Sequence, residues 1–437
     1  MGRGKLEACR SLISDLDSDG EAAKLHGFSS ELLLLAAESG GTLVEQCEAL
    51  ASEITEAGSI PYFSWCSQKK FDAAKPYRLA IVVSDEMDLK AKLERACRVL
   101  MSHGASAFAD PEGVYLGMGR IEGHVAFLFP GQTQRQGLAR AEWMQTALGM
   151  ASLSYLAILK RIGIVPTCVA GHDFGELTAL HAAGVLSVSD FLSVTRVRGE
   201  LIAAAARSVG GGAMTAAAIP PHLLAGIESM ETNVTIAEFN GPKQTVLAGD
   251  AQAIGKMEQY LEEKGIQCER LPGELAFHSS FVTPSCELLL AFLENVRFNE
   301  NSIPVYSNVL GNTYPSSTGQ MKILLAEQIA QPIRFSQQID AMYEHGVRVF
   351  IEVGPGDVLT NLVAACLAQQ PHVAVTLDGT HPLRRAGFWH ALAQLAAVGV
   401  PMQPHLLWTT YAIPVDPCRK ETGASGFNRR HQSMHTL

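Results

Sequence analysis

Continuous apolar runs alternate along this chain with segments in which apolar residues recur at helical spacing. Residues 77–85 (YRLAIVVSD) form a run typical of a buried strand, and residues 86–104 have the pattern of an amphipathic helix. A strand followed by a helix is predicted in residues 29–54, and a short strand at residues 113–119. Residues 28–120 are therefore predicted to form a small α/β domain.

A second unit with the same alternation begins at residue 121. Its predicted elements are a strand that opens HVAFLFPGQTQ (124–134), helices at 144–163 and 188–206, and strands within 302–309 and 347–356. Strands that alternate with helices favour a parallel sheet covered on both faces. We assign residues 121–207 and 278–415 to this large subdomain.

The pattern changes between the two parts of the large subdomain. The predicted order is strand 212–219, helix 221–229, strands 234–240 and 244–250, helix 251–265 and strand 267–272. This β-α-β-β-α-β order is that of a ferredoxin-like unit, which we place at residues 208–277. At the ends of the chain, residues 1–27 are a polar leader, and residues 416–437 are predicted to be a disordered tail.

Composition and charge narrow the class of protein. A chain of 437 residues with 47% hydrophobic residues has room for two or three globular domains. The net charge of −10 argues against a nucleic-acid partner, and no apolar run is long enough to cross a membrane. Nine scattered cysteines without a CxxC pair favour reduced thiols, no metal site and a cytoplasmic location.

The segment VPTCVAGHDFGELTALHAAGVLS (165–187) carries the first candidate for chemistry. An apolar strand, a turn flanked by glycines and a helix form the pattern of a nucleophile elbow, with Asp173 at its tip. The backbone N–H groups at the start of the helix would favour an oxyanion or a carboxylate there. The alternative is an ordinary strand–helix turn in which Asp173 caps the helix.

Other candidates follow predicted strands or lie on a helix. His278, where the chain re-enters the large subdomain, is either a general base for the elbow or a structural histidine. Arg196 and Arg198 lie two residues apart on a predicted helix, so only one of them is expected to reach a site. A buried arginine there would bind a substrate carboxylate, whereas a solvated one would have no such role. The turn FPGQTQ could complete an oxyanion hole, and EVGPGD is taken as structural.

Taken in order, several segments resemble the acyltransferase domain of polyketide and fatty-acid synthases, the malonyl-CoA:acyl-carrier-protein transacylase family. The resemblance covers about residues 121–410 and implies an α/β-hydrolase-like parallel-sheet core with the inserted ferredoxin-like subdomain. Residues 29–120 resemble the linker domain between ketosynthase and acyltransferase. The matching segments are VAFLFPGQTQ, VAGHDFGELTALHAAGVLS, VTRVRGE, GGGAM, NGPKQTVLAGD, LAFHS, PVYSN, QPIRF and FIEVGPGDVL.

The resemblance implies a role for each site residue. His278 would activate the nucleophile and then protonate the leaving thiolate, with a backbone carbonyl near QPIRF orienting it. Arg198, 25 residues after Asp173, would bind the malonyl carboxylate, and the backbone N–H groups of Gln132 and Phe174 would form the oxyanion hole. No bound cofactor is implied: an acyl-CoA supplies the acyl group, and the phosphopantetheine thiol of an acyl carrier protein accepts it. A ketosynthase is a further expected partner.

Two features depart from the family pattern. Asp173 stands where the family has its nucleophilic serine, and an acylated carboxylate would be a high-energy mixed anhydride. Its charge is also expected to pair with His278 or Arg198 in a closed ionic cluster. Asp173 follows Gln132 by 41 positions, about half the family's usual spacing. Three hypotheses follow: an impaired acyltransferase, a non-catalytic scaffold or carrier-docking domain, and a hydrolase with an aspartate nucleophile.

Overall fold

The computed structural model describes residues 30–410 and 414, except for 55–58, 103–105, 120, 132–140, 210, 221–222, 225, 228–232, 273–275, 280–281 and 379–386. The described strands form three sheets, one of five strands and two of four. The predicted leader, the predicted tail and Gln132 lie outside these residues. Among the described helices none is long and apolar enough to cross a membrane.

The first sheet is antiparallel and has the strand order β1-β2-β4-β3. Its second strand is the predicted apolar run, and six of its seven residues are buried. The adjacent helix α3 begins where the Asp85 carboxylate accepts a hydrogen bond from Asp88 N–H at 2.8 Å. The elements of this part are β1 (Glu31–Ala37), α1 (Gly40–Glu53), α2 (Ile60–Lys70), β2 (Tyr77–Val83), α3 (Glu86–Met101), β3 (Phe108–Asp110) and β4 (Val114–Met118).

The five-stranded sheet is parallel throughout, in the order β11-β6-β5-β12-β13. Phe129, the last residue of β5, pairs with Gly171, the last residue of β6, so both strands end beside the predicted elbow. The strands are β5 (His124–Phe129), β6 (Cys168–Gly171), β11 (Val305–Tyr306), β12 (Val347–Glu352) and β13 (Val373–Thr376).

Helices accompany this parallel sheet, as expected for strands that are buried on both faces. Leu156 and Leu159 of α4 join Phe127 and Phe129 of β5 in one core cluster. The helices between these strands are α4 (Ala141–Arg161), α5 (Gly175–Ala182), α6 (Val188–Val209), α8 (Thr283–Glu294), α9 (Thr318–Glu327), α10 (Phe335–Glu344) and α11 (Val358–Cys366).

The third sheet is antiparallel and has the order β10-β7-β9-β8. Backbone hydrogen bonds join its edge strand β8 to the large part of the molecule, from Phe239 N–H to Ile333 O at 2.8 Å and from Ile333 N–H to Ala237 O at 2.9 Å. The helix predicted at 221–229 lies partly outside the described residues. The elements are β7 (Gly212–Ala217), β8 (Val234–Gly241), β9 (Gln244–Asp250), α7 (Ala251–Glu263) and β10 (Cys268–Leu271).

The C-terminal helix α12 (Gly387–Ala397) contacts the first sheet, and a 3-10 helix (Pro404–Thr410) contacts α2 and α4. Gly117 permits this contact, because a Cβ atom there would lie 1.6 Å from Ala397 O. The Arg78 Nε–H also donates to Ala397 O at 3.0 Å. The sequence assignment of residues 278–415 to the large subdomain remains a prediction, and the structure adds that this segment also covers the first sheet.

Candidate active site

The predicted elbow is a tight turn between β6 and α5. A Cβ atom on Gly171 would lie 1.9 Å from Gly175 C, and one on Gly175 would lie 1.9 Å from Phe129 O. Asp173, between these glycines, has a φ of 48°, in the left-handed region that residues with side chains rarely adopt. The turn therefore holds the Asp173 side chain at the carboxyl edge of the parallel sheet.

The Asp173 carboxylate binds Arg198 and does not cap the helix behind it. Asp173 Oδ1 lies 2.6 Å from Arg198 Nη2 and 3.7 Å from His278 Nε2. The N-cap residue of α5 is Phe174, which makes no side-chain capping hydrogen bond. The capping alternative for Asp173 is therefore wrong, and the expected ionic cluster forms.

The two arginines of α6 lie in different environments. Arg198 is 2% exposed, whereas Arg196 is 65% exposed and pairs with Glu200. Arg198 Nη2 also donates to Gln328 Oε1 at 3.1 Å. Its Nη1 is buried and has no hydrogen-bond partner among the described residues. One end of the guanidinium thus keeps unused donors.

Charge dominates the titration of Asp173. Although burial raises the pKa of this carboxyl, the charges of Arg198, His278 and His172 and the hydrogen bond from Arg198 together outweigh that effect and lower its pKa to about 2. Asp173 is consequently ionised at neutral pH. It occupies Arg198 in the way that the carboxylate of an acidic ligand would.

His278 is buried and oriented through its Nδ1 atom. This nitrogen lies 3.0 Å from Gln328 O and 3.1 Å from Gln331 O, the latter in the QPIRF segment. Because both neighbours are carbonyl oxygens, Nδ1 carries the proton and Nε2, which faces Asp173, has the lone pair in the neutral ring. His278 also has a left-handed φ of 55°. The ring is thus oriented with Nε2 toward the side chain at position 173.

The oxyanion-hole candidates are only partly described. The Phe174 side chain is fully buried, and its backbone stands at the N-terminus of α5. Gln132 lies outside the described residues. Its predecessor Gly131 packs against the elbow, because a Cβ atom there would lie 2.3 Å from His172 O. Gly131 therefore lies beside the elbow.

Sequence reasoning missed a buried polar network behind the elbow. Asn308 Oδ1 accepts a hydrogen bond from Asp173 N–H at 2.8 Å, and Asn308 Nδ2 donates to Gly171 O at 2.6 Å. Its own backbone N–H donates to Glu176 Oε2 at 3.1 Å, and the Tyr314 hydroxyl donates to Glu176 Oε1. The signal available in the sequence was the polar pair Ser-Asn directly after the apolar PVY of PVYSN.

Glu176 is the most deeply buried carboxyl of this network. Burial raises its pKa to about 7, although the hydrogen bonds from Tyr314, Asn308 and Ser307 and the charge of Arg198 act in the opposite direction. Glu176 is therefore partly protonated at neutral pH.

A second contact links the elbow to the antiparallel sheet β7–β10. His172 Nε2 lies 2.7 Å from Asn240 Oδ1 and 3.9 Å from Glu238 Oε2 on β8. The His172 ring also lies 5.4 Å from the ring of Phe335. Within the described residues no group of three or more metal-ligating side chains comes together.

Comparison with known proteins places this geometry in a family. The family model of the acyl transferase domain matches residues 70–400. The polyketide synthase GfsA of Streptomyces halstedii is 30% identical over 327 residues, which are 73% of this chain and 4% of that synthase. The malonyl CoA-acyl carrier protein transacylase of Bacillus subtilis is 34% identical over 239 residues, 53% of this chain and 74% of the transacylase.

Solved structures show the same likeness. The acyltransferase domain of an iterative polyketide synthase in enediyne biosynthesis superposes with a TM-score of 0.74 at 25% identity, covering 86% of this chain and 98% of that domain. An acyl carrier protein S-malonyltransferase from Vibrio cholerae has a TM-score of 0.53 at 26% identity, covering 58% and 96%. The chain spans 4–14% of the length of four synthase relatives. From the match over residues 70–400, the chain belongs to the acyl transferase domain family.

Proposed function

We propose that this chain is an acyltransferase domain that moves a malonyl group from CoA to an acyl carrier protein in polyketide or fatty-acid biosynthesis. We further propose that Asp173, in the place of a nucleophilic serine, slows this transfer. Both statements are supported by the position of the Asp173 carboxylate between Arg198 and His278. Its Oδ1 lies 2.6 Å from Arg198 Nη2 and 3.7 Å from His278 Nε2.

The proposed reaction with a serine hydroxyl at position 173 is a two-step exchange. His278 Nε2 takes the hydroxyl proton while the oxygen attacks the thioester carbonyl, and then gives that proton to the CoA thiolate. The backbone N–H groups of Phe174 and Gln132 stabilise the oxyanion, and Arg198 binds the malonyl carboxylate. The phosphopantetheine thiol of the carrier protein then attacks the ester and receives the malonyl group.

With Asp173 the same geometry is unfavourable for transfer. Attack by a carboxylate oxygen forms a mixed anhydride, which is far less stable than a serine ester. The ionised carboxylate also occupies Arg198 and would repel the malonyl carboxylate. Both effects oppose the first half of the reaction, in which malonyl-CoA binds and its thioester is attacked at position 173.

We infer an α/β-hydrolase-like core at residues 121–207 and 278–415, a ferredoxin-like insertion at 208–277 and a linker domain at 28–120. The strand order β10-β7-β9-β8, with strands ordered 4-1-3-2 within the unit, supports the ferredoxin-like assignment. The expected partners are an acyl-CoA, an acyl carrier protein and a ketosynthase, in the cytoplasm and without a bound cofactor.

The test is labelling with radioactive malonyl-CoA, followed by an acid quench and measurement of protein-bound label. We expect label on Asp173→Ser and its release onto a phosphopantetheinylated carrier protein. The unchanged chain and Asp173→Asn should stay unlabelled, the latter being a control that removes the charge without adding a nucleophile. Asp173→Ser combined with Arg198→Ala should lose most of the label, because the carboxylate has no partner.

A non-catalytic scaffold or carrier-docking role is the second candidate. The ion pair between Asp173 and Arg198 favours it, since Arg198 already has an anionic partner without a substrate. Absence of label on Asp173→Ser, with a folded protein, would support this reading. A third candidate, an aspartate-nucleophile hydrolase, requires covalent adducts of haloalkyl acids on Asp173 of the unchanged chain.

A further inference from the structure

The tip of the elbow holds a conformation that needs support from its surroundings. A residue with a side chain at a φ of 48° costs of order 1–3 kcal/mol and persists only where neighbouring groups hold it. The two glycines permit the turn but donate no side-chain contact to it. The support must therefore come from another part of the chain.

Asn308 makes two side-chain hydrogen bonds to the elbow, one to its tip and one to the end of β6. Its Oδ1 accepts from the N–H of the tip residue Asp173, and its Nδ2 donates to the carbonyl of Gly171. Asn308 is fully buried, so water does not replace these bonds. A side-chain amide is suited to this position because it offers an acceptor and a donor side by side.

The fold delivers Asn308 to this place and holds it there. Strand β11 pairs in parallel with β6 through Val305 and Val169, and Asn308 lies two residues after its end. The backbone N–H of Asn308 donates to Glu176 Oε2, whose other oxygen accepts from Tyr314. Glu176 lies on α5, directly behind the elbow. Hydrogen bonds of Asn308 and Glu176 thus connect β6, α5 and the loop after β11.

We propose that Asn308 is a positioning residue that sets the elbow tip for reaction with His278, and that Glu176 acts through Asn308. Neither side chain needs to touch the substrate. This inference rests on the proposed function for its substrate, but not for its principal readout. Losing the hold on the tip is expected to lower the rate of the chemical step, because small errors in attack geometry are costly.

The test uses Asp173→Ser as the parent and a fluorophosphonate as the principal probe. This probe phosphonylates an activated serine hydroxyl and expels fluoride, while His278 accepts the hydroxyl proton. Because the probe carries no malonyl carboxylate, labelling does not depend on Arg198. We expect Asn308→Ala to slow labelling at least about tenfold and Asn299→Ala to leave it unchanged. Asn299 is a matched control, since its side-chain amide donates to Gly184 O, the residue that ends the turn after α5.

Glu176 supplies a second arm that distinguishes positioning from a loss of folding. Glu176→Gln keeps an acceptor for the Asn308 N–H, and its amide can donate to the Tyr314 oxygen, so it should retain most of the parent's labelling rate. Glu176→Ala should label at least about tenfold more slowly. In malonyl transfer, Asn308→Ala should lower kcat at least about tenfold and change KM less than about threefold.

The outcomes separate this inference from the proposed function. If fluorophosphonate labels the parent but malonyl-CoA does not, the malonyl assignment fails and the positioning role is still tested. Labelling of a folded Asn308→Ala protein within threefold of the parent would overturn the inference. Equal labelling rates for Glu176→Gln and Glu176→Ala would also overturn the inference. If Asn308→Ala does not fold, the comparison of these two Glu176 variants is the test. A parent that fluorophosphonate cannot label overturns it too.

Discussion

Replacing Asp173 by serine removes the carboxylate that pairs with Arg198 and leaves the guanidinium buried. Arg198 is 2% exposed, and one of its terminal nitrogens already lacks a hydrogen-bond partner within the described part of the chain. After the change, Arg198 keeps one side-chain acceptor among the described residues, Gln328 Oε1 at 3.1 Å. The variant that should gain activity is therefore expected to lose stability.

The size of the loss follows from the burial of the pair. Removing one partner of a buried ion pair costs about 3–5 kcal/mol, because an uncompensated charge stays in the interior. The Asp173 side chain is 15% exposed, so water can reach the vacated position and partly hydrate Arg198. We therefore expect the free energy of unfolding to fall by about 3 kcal/mol, the lower end of this range.

A carboxylate ligand should restore what the substitution removes. Malonate at one hundred times its dissociation constant would stabilise Asp173→Ser by about 2.7 kcal/mol through mass action. The unchanged chain should not respond, because Asp173 already occupies Arg198. Malonamide, which is neutral and of similar shape, should stabilise neither protein.

Urea denaturation at pH 7.5 measures both effects, with and without each ligand. The reasoning would be refuted if Asp173→Ser unfolds within about 1 kcal/mol of the unchanged chain, the range of an ordinary substitution. Equal stabilisation of both proteins by malonate would also refute it, because malonate would then bind elsewhere.

Three further outcomes are expected. Lowering the pKa of Asp173 from 3.8 to about 2 stabilises the folded chain by about 2 kcal/mol above pH 4, and this contribution is lost as the pH falls from 4 to 2. Acid titration of stability should show this loss, and Asp173→Asn should lack it. The pKa of Glu176 is raised from 4.5 to about 7, so its contribution to the stability of the folded chain falls as the pH rises between these values. Glu176→Gln should therefore be about 3 kcal/mol more stable than the unchanged chain at pH 8 but not at pH 4. Gly117→Ala should displace α12, since its Cβ would lie 1.6 Å from Ala397 O. Gly119→Ala is the control: no atom lies within 4 Å of its Cβ, and its φ of 69° should cost only about 1 kcal/mol of stability. Thermal denaturation compares the two variants.

Elements with a clear apolar period were predictable from the sequence. The strand of residues 77–85, the hairpin of β8 and β9 and the helix α7 stand where the pattern places them. Helix α12 was not predicted, because nearly all its side chains are buried and no polar face marks its period. The strand expected within 302–309 is only Val305–Tyr306, since the chain turns directly after it.

The candidate site residues and the pairing of Asp173 with His278 or Arg198 were predicted from the sequence, but the burial of these side chains was not. The glycine spacing around Asp173 marked the elbow, and residue types marked His278 as a base and one arginine of α6 as a carboxylate ligand. Packing of α6 decided that Arg198 is buried and Arg196 is not. Asn308 and Glu176 were not predicted as site residues, because their roles depend on strands far apart in the chain.

Local patterns along the chain determined the strands, the turn at Asp173 and the charged residues available to it. These depend on neighbours within a few positions, where the period of apolar residues and the spacing of glycines act directly. The pairing of Asp173 with Arg198, the orientation of His278 and the hold of Asn308 on the elbow depended on the folded chain. The parallel strands β6 and β11 pair at Val169 and Val305, which are 136 residues apart in the chain, and only this pairing brings such distant side chains into hydrogen-bonding range.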